Sequence, residues 1–205
     1  MRVYAETNFV LEIVLEQGEC GACEDLLALA ERGEISLAIP AFGLVEPITT
    51  LRRRSGERSR VARELESHVR EIGRTLSLAA DAASNDLAAL LVRSAQQAED
   101  RYRSARERIM AIADVLPLGG DAIADAERLD RELDLTLSDA LILASVLASV
   151  LGDDRLGREP TWFANRNTKD FDEPRVVALL MQRQCKLLRS FSDVLALVGS
   201  ISKQE

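Results

Sequence analysis

Met1-Arg2-Val3-Tyr4-Ala5-Glu6-Thr7-Asn8-Phe9-Val10 is the stretch that decides the fold of this chain. Val3-Tyr4-Ala5 is a short run of strand-forming character. Glu6-Thr7-Asn8 is a polar break, and an apolar helical pattern begins at Phe9. The segment reads as a strand that ends in a carboxylate and turns at once into a helix. In open α/β sheets, ligands bind in the crevice beyond the carboxyl ends of the strands. Glu6 belongs at that edge. If its strand is central, later acids should return to the same place.

Phe9, Leu11, Val14 and Leu15 give the first helix its apolar face, and Gly18 is expected to stop it. Glu12, on the same helix, is expected to face solvent, the alternative being that it joins the edge of the site. A second helix runs from about Ala22 to Arg32 and ends at Gly33. Ile35 to Ile39 reads as the second strand. Pro40 opens a helix that carries Val45 and Glu46, and Pro47 implies a kink or a short first segment. From Thr50 to Ile112 the pattern is helical. Val61, Leu65, Val69, Ile72 and Leu76 form one stripe, and Leu87, Leu91, Ala95, Ala98, Tyr102, Ala105, Ile109 and Ile112 a second. Ser84-Asn85-Asp86 between them is a turn, so the segment reads as a long αα-hairpin with both stripes packed as core.

Val115 to Leu118 reads as a brief edge strand. Asp121 caps a helix to about Glu132. Thr136 or Ser138 caps a strongly apolar helix from Ala140 to Leu151, with Asp139 in its first turn. A charged loop, Gly152 to Pro160, precedes a strand at Trp162-Phe163-Ala164. Pro174 starts another helix, Lys186 to Phe191 is the last strand, and Asp193 to Ser200 closes the chain. Strands separated by helices imply a parallel sheet with helices on both faces.

Composition bounds what this fold can do. The chain has 205 residues, 47% of them hydrophobic, enough for one domain with an insertion. Its net charge of −8 argues against a generic affinity for nucleic acid or anionic membrane. No apolar run is long enough to span a bilayer, and the N-terminus has no signal-peptide pattern. A cytoplasmic protein is expected. Cys20 and Cys23 form a lone C-x-x-C without a second pair or spaced histidine, so they read as incidental cysteines at a helix start. Cys185 reads as buried. His68, the sole histidine, is expected to have no catalytic role.

Glu6, Glu46, Asp139, and Asn167 or Asp170 each stand at a strand end or a helix start. Hard divalent cations such as Mg²⁺ take oxygen ligands, commonly one or two carboxylates with water and phosphate. Carboxylates distant in sequence but gathered at one sheet edge suit metal-assisted phosphodiester chemistry. The cation would also reconcile an acidic site with a polyanionic substrate.

These motifs resemble those of the PIN-domain ribonucleases. The family's first motif is a strand ending in Asp-Thr/Ser-Asn, and here Val3-Tyr4-Ala5-Glu6-Thr7-Asn8 stands in its place. Its second is a helix glutamate soon after strand two, matched by Leu44-Val45-Glu46. Its third is an aspartate opening an apolar helix, matched by Ser138-Asp139-Ala140-Leu141-Ile142. Its fourth is a polar turn ending in Asp-Phe, matched by Asn165-Arg166-Asn167-Thr168-Lys169-Asp170-Phe171. The likeness covers Met1 to about Pro47 and Val115 to about Phe191.

The resemblance implies a PIN-like three-layer α/β/α domain over residues 1–205, with a central parallel sheet and residues 50–112 as an inserted helical arm. It implies a metal-dependent endoribonuclease, many relatives being toxins of toxin–antitoxin pairs. Glu6, Glu46 and Asp139, with Asn167, would ligate Mg²⁺ or Mn²⁺. Glu6, Glu46, Asp139 and Asp170 would form the catalytic set, supported by Thr7 and Asn8. An RNA substrate, an antitoxin or other protein partner and a homodimer are the implied partners. Glu6 is one methylene longer than the family's aspartate, and Asn167 is neutral where many members carry aspartate. The alternative is therefore a non-catalytic PIN-like module, with a degenerate metal site, that binds RNA or a protein.

The arm has a signal of its own. Between Arg52 and Arg74 stand eight arginines and four glutamates, a surplus of four positive charges in an acidic protein. Arg52, Arg53, Arg54 and Arg58 lead this run away from Glu46 and are the candidate RNA contacts. The competing account is a solvated helix with i,i+4 pairs such as Glu66–Arg70.

Overall fold

A computed structural model describes residues 1–83, 86–152, 159–167 and 171–201. Its elements in order are β1 (Arg2–Tyr4), α1 (Thr7–Leu15), α2 (Cys20–Glu31), β2 (Ser36–Pro40), α3 (Ala41–Ile72), α4 (Ala79–Ala83), α5 (Leu87–Ile112), β3 (Asp114–Leu116), α6 (Gly120–Leu133), α7 (Leu137–Leu151), β4 (Thr161–Ala164), α8 (Pro174–Gln182), β5 (Lys186–Leu188) and α9 (Phe191–Ile201). The five strands form one sheet in the order β3-β2-β1-β4-β5, every pair parallel. β1 is thus the central strand. Val3 lies opposite Leu37 of β2 on one side and Trp162 of β4 on the other.

Both faces of the sheet are covered, which is why β1 and β4 are buried at every position. Side chains alternate along each strand. Tyr4, Ala38 and Phe163 point to one face, into a core built with Leu129 and Leu133 of α6, Leu143 and Leu147 of α7, and Val176 and Leu180 of α8. Phe163 meets Phe171 edge to face at 5.4 Å. α1, α2 and α9 pack with one another separately, where Phe9 and Phe191 make a second edge-to-face pair at 5.3 Å. The start of the sheet is fixed by Arg2, which is buried and donates to Tyr4, Ser36 and Asp114 across three neighbouring strands.

Contacts divide the chain into two compact units, Met1–Pro47 with Ser104–Glu205, and Ile48–Arg103. The first holds all five strands. Arg108 there pairs with Glu24 and Glu31 of α2. In the second, Leu51, Ala62, Ala95, Ala98 and Tyr102 are buried. Ile48, Leu51, Arg52, Glu99, Tyr102 and Arg103 line a pocket there between α3 and α5.

Several local expectations need correction. The first arm stripe is not core. Val61 and Ile72 are exposed and Leu76 is 97% exposed, because the small Ala62 takes the inward position and α3 ends at Ile72. Leu87 at the start of the second stripe is also exposed, whereas Ala95 to Ile109 is buried as expected. Pro40 ends β2 instead of opening a helix, since pairing with Leu116 of β3 keeps its backbone extended. α3 then runs unbroken through Pro47. Asp121 is not a cap; Gly119 holds that position without a side-chain bond. α1 ends at Glu16, whose φ of 50° supplies the left-handed stop expected of Gly18. Among the described residues no helix is long and apolar enough to cross a membrane.

Candidate functional site

Glu6 follows β1 and is the N-cap of α1, where its Oε2 accepts the Asn8 backbone N–H at 2.8 Å. The strand delivers it to the sheet's carboxyl edge, and the helix start then holds it there. Glu6 is only 3% exposed, and its Oε1 is buried without a hydrogen-bond partner. Burial pushes its carboxyl up to about 8, and the nearby charges of Asp139 and Glu46 add to the rise against the lowering hydrogen bonds from Asn8. Metal-free Glu6 is therefore largely protonated at neutral pH.

Glu46 reaches the same edge from α3. Gly43, one turn earlier, lets that helix approach the β1–α1 junction. A Cβ at Gly43 would lie 3.3 Å from the Thr7 backbone nitrogen and 3.6 Å from the Glu6 carbonyl carbon. The close approach brings Glu46 onto Thr7, whose hydroxyl donates to it at 2.5 Å. Thr7 thus supports Glu46, while Asn8 supports Glu6.

Asp139 enters from the first turn of α7. Thr136 caps that helix, accepting from the Asp139 backbone N–H at 3.2 Å and donating its hydroxyl to the carboxylate at 2.5 Å. Asn167, after β4, donates from Nδ2 to the other Asp139 oxygen at 3.2 Å. Asp170 lies outside the described residues. Glu6, Glu46, Asp139 and Asn167 are therefore brought to one edge by three separate elements and the turn after β4. Among the described residues, however, no three acidic, histidine or cysteine side chains form a group that could hold a metal ion. Thr7, Thr136 and Asn167 occupy carboxylate oxygens that such a group would use.

Three further residues, Asn165, Glu12 and Arg166, are given no role at the site by the sequence motifs. Continuing the β1–β4 register past Tyr4 and Phe163 sets Asn165 opposite Glu6. Asn165 is buried, accepts the Asn167 backbone N–H at 2.6 Å, and leaves its Nδ2 without a partner. Two orphaned polar atoms thus sit on adjacent strand ends, an arrangement that calls for a water or an ion. Glu12 does not face solvent. It is 3% exposed, pairs with Arg166, and accepts the Glu19 backbone N–H at 2.8 Å. Arg166 is the reason a carboxylate can be buried there, and it also lies 3.8 Å from Glu19. An acid inside the apolar run from Phe9 to Leu15 was the available signal; its partner, far along the chain, was not.

The basic run of α3 is partly self-paired. Arg53 bonds Glu57 and Arg60 bonds Glu64, both at i,i+4, while Glu66–Arg70 is not among the pairs formed by the described residues. Cys20 starts α2 as expected, Cys23 and Cys185 are buried, and all three are free. His68 is exposed on α3.

No model of a known protein family, no curated protein and no solved structure matches the chain.

Proposed function

We propose that this chain is a metal-dependent endoribonuclease of PIN type. The observation that carries this reading is the buried, unpartnered Glu6 Oε1 at the carboxyl end of the central strand, within electrostatic reach of Glu46 and Asp139. Orphaned carboxylate oxygen is costly unless a cation or water meets it. The acidic groups at this edge present oxygen ligands, which suits Mg²⁺ or Mn²⁺. Glu6, Glu46 and Asp139 would hold the ion, with the Asn167 amide beside Asp139. The bound ion would supply a water of lowered pKa and charge stabilisation at the phosphate.

The protein's own residues have separable tasks. Asn8 and Thr7 fix Glu6 and Glu46 by hydrogen bonds, and Thr136 orients Asp139. Glu6 must lose its proton to act as a ligand, so metal uptake releases a proton and strengthens with rising pH. Arg52, Arg53, Arg54 and Arg58 supply positive charge for an RNA backbone.

One observation favours a second reading, a non-catalytic module that binds RNA or a protein. No three acids form a metal-holding group among the described residues, and Glu6 is neutral as it stands. Cleavage of a mixed single-stranded RNA with Mn²⁺ or Mg²⁺ separates the two. Metal-requiring cleavage that disappears in Asp139→Asn supports the nuclease. Folded protein that neither cleaves nor binds metal by calorimetry supports the module.

A further inference from the structure

Beside the acidic edge lies an open cleft of about 420 Å³, lined by Asn8, Glu12, Gln17, Arg166 and Asn167. Every one of these side chains is polar. The cleft is joined to the acids through its own walls. The Asn8 backbone N–H bonds Glu6, and the Asn167 side chain bonds Asp139. A group seated there would flank whatever is held at Glu6 and Asp139.

The charge and donor pattern select the occupant. Arg166 faces Glu12 and Glu19, so the cluster carries one negative charge in excess. That balance disfavours phosphate, which is held by surplus positive charge. Arg166 lines the cleft and keeps 41% of its side chain exposed, while its Nη1 bonds Glu12 and its Nε stands 3.8 Å from Glu19. Planar guanidinium stacks on bases. The side-chain amides of Asn8 and Gln17 make no hydrogen bond to the described residues, and each offers a donor and an acceptor. Paired donor and acceptor groups match the edge of a nucleobase.

We infer that this cleft is a nucleobase subsite, seating one unpaired base of single-stranded RNA next to the scissile phosphate. The inference rests on the ribonuclease reading and names how its substrate is chosen. Arg166 stacks, Asn8 and Gln17 read the base edge, and buried Glu12 holds Arg166 in place.

The test uses the full chain, isotope-labelled, with chelator present. Adenosine, cytidine, guanosine and uridine are titrated while the side-chain amide signals of Asn8 and Gln17 are followed by NMR. Inorganic phosphate is titrated separately. The expected result is a saturable shift with at least one nucleoside, none with phosphate, and about fivefold weaker binding in Gln17→Ala, the loss of one hydrogen bond. Gln17 is exposed, so that variant does not threaten the fold. A single-stranded RNA tetramer containing the preferred base should compete with the nucleoside. The inference is overturned if no nucleoside shifts these amides, if phosphate does so instead, if Gln17→Ala binds as well as the wild type, or if the tetramer fails to compete. The titration involves neither metal nor cleavage. Its failure is therefore distinct from failure of the nuclease reading, which the Asp139→Asn assay decides.

Discussion

Glu6 is the residue on which the proposed chemistry and the stability of this protein meet. Its carboxyl stands at about 8 against an ordinary 4.5, chiefly because burial removes it from water. The folded state then holds a proton that the unfolded chain releases at lower pH. Stability from this group is complete below about 4.5 and is lost as pH rises through about 8. In chelator, the melting temperature should therefore fall between pH 5 and pH 8.5, roughly, with an effect on the order of a few kcal/mol. Glu6→Gln should flatten that slope, as read by thermal melts across the range. A slope identical in the variant would place the titrating group elsewhere. On the proposed metal-dependent reading, Mn²⁺ should protect most at the alkaline end, where the Glu6 carboxylate is ionised.

At the scale of elements, α3 shows how one residue type serves two purposes. Gly43 sits where a Cβ would press on the Thr7 backbone, whereas Gly56 has open space around it. Gly43→Ala must displace backbone of the β1–α1 junction and should cost about 1–3 kcal/mol. It should also loosen Glu46 from Thr7 and, on the proposed nuclease reading, lower metal-dependent cleavage. Gly56→Ala, in the same helix, should stabilise by about 0.5–1 kcal/mol through reduced freedom of the unfolded chain. Urea denaturation of the two variants reads both signs. Equal effects would mean that Gly43 does not set the approach of α3 to the sheet edge.

Taken as a whole molecule, the chain is acidic, yet it concentrates arginine in one run of α3. Its charge of −8 gives no general attraction for RNA, so any affinity must come from a local source. Arg54 and Arg58 form no ion pair with the described residues, unlike Arg53, which bonds Glu57. On the proposed reading of the arm as an RNA contact, replacing Arg52, Arg54 and Arg58 by Gln should weaken RNA binding for all sequences alike. The slope of log affinity against log salt should shrink by about 1 for each phosphate that an arginine no longer neutralises. Fluorescence anisotropy over a salt series measures both. An unchanged slope would remove the arm from RNA binding.

The sequence by itself determined the alternation of strands and helices, and with it a parallel sheet. Local pattern is enough for that, since Val3-Tyr4-Ala5 and Trp162-Phe163-Ala164 are apolar runs bounded by polar turns. It also marked Glu6, Glu46, Asp139 and Asn167, because an acid or amide within a few residues of a strand end or at the start of a helix is a local feature. Tertiary structure alone decided which of these groups are buried and which are partnered. Glu12 looks like an ordinary surface acid until Arg166 arrives from the turn after β4 to neutralise it. Gly43 looks like a weakness in a helix until the Thr7 backbone fills the space beside it. Val61 looks like core until Ala62 takes the inward place. For Glu12 and Gly43 the deciding energy is desolvation or close packing against a segment distant in the chain, and no window of sequence contains both partners.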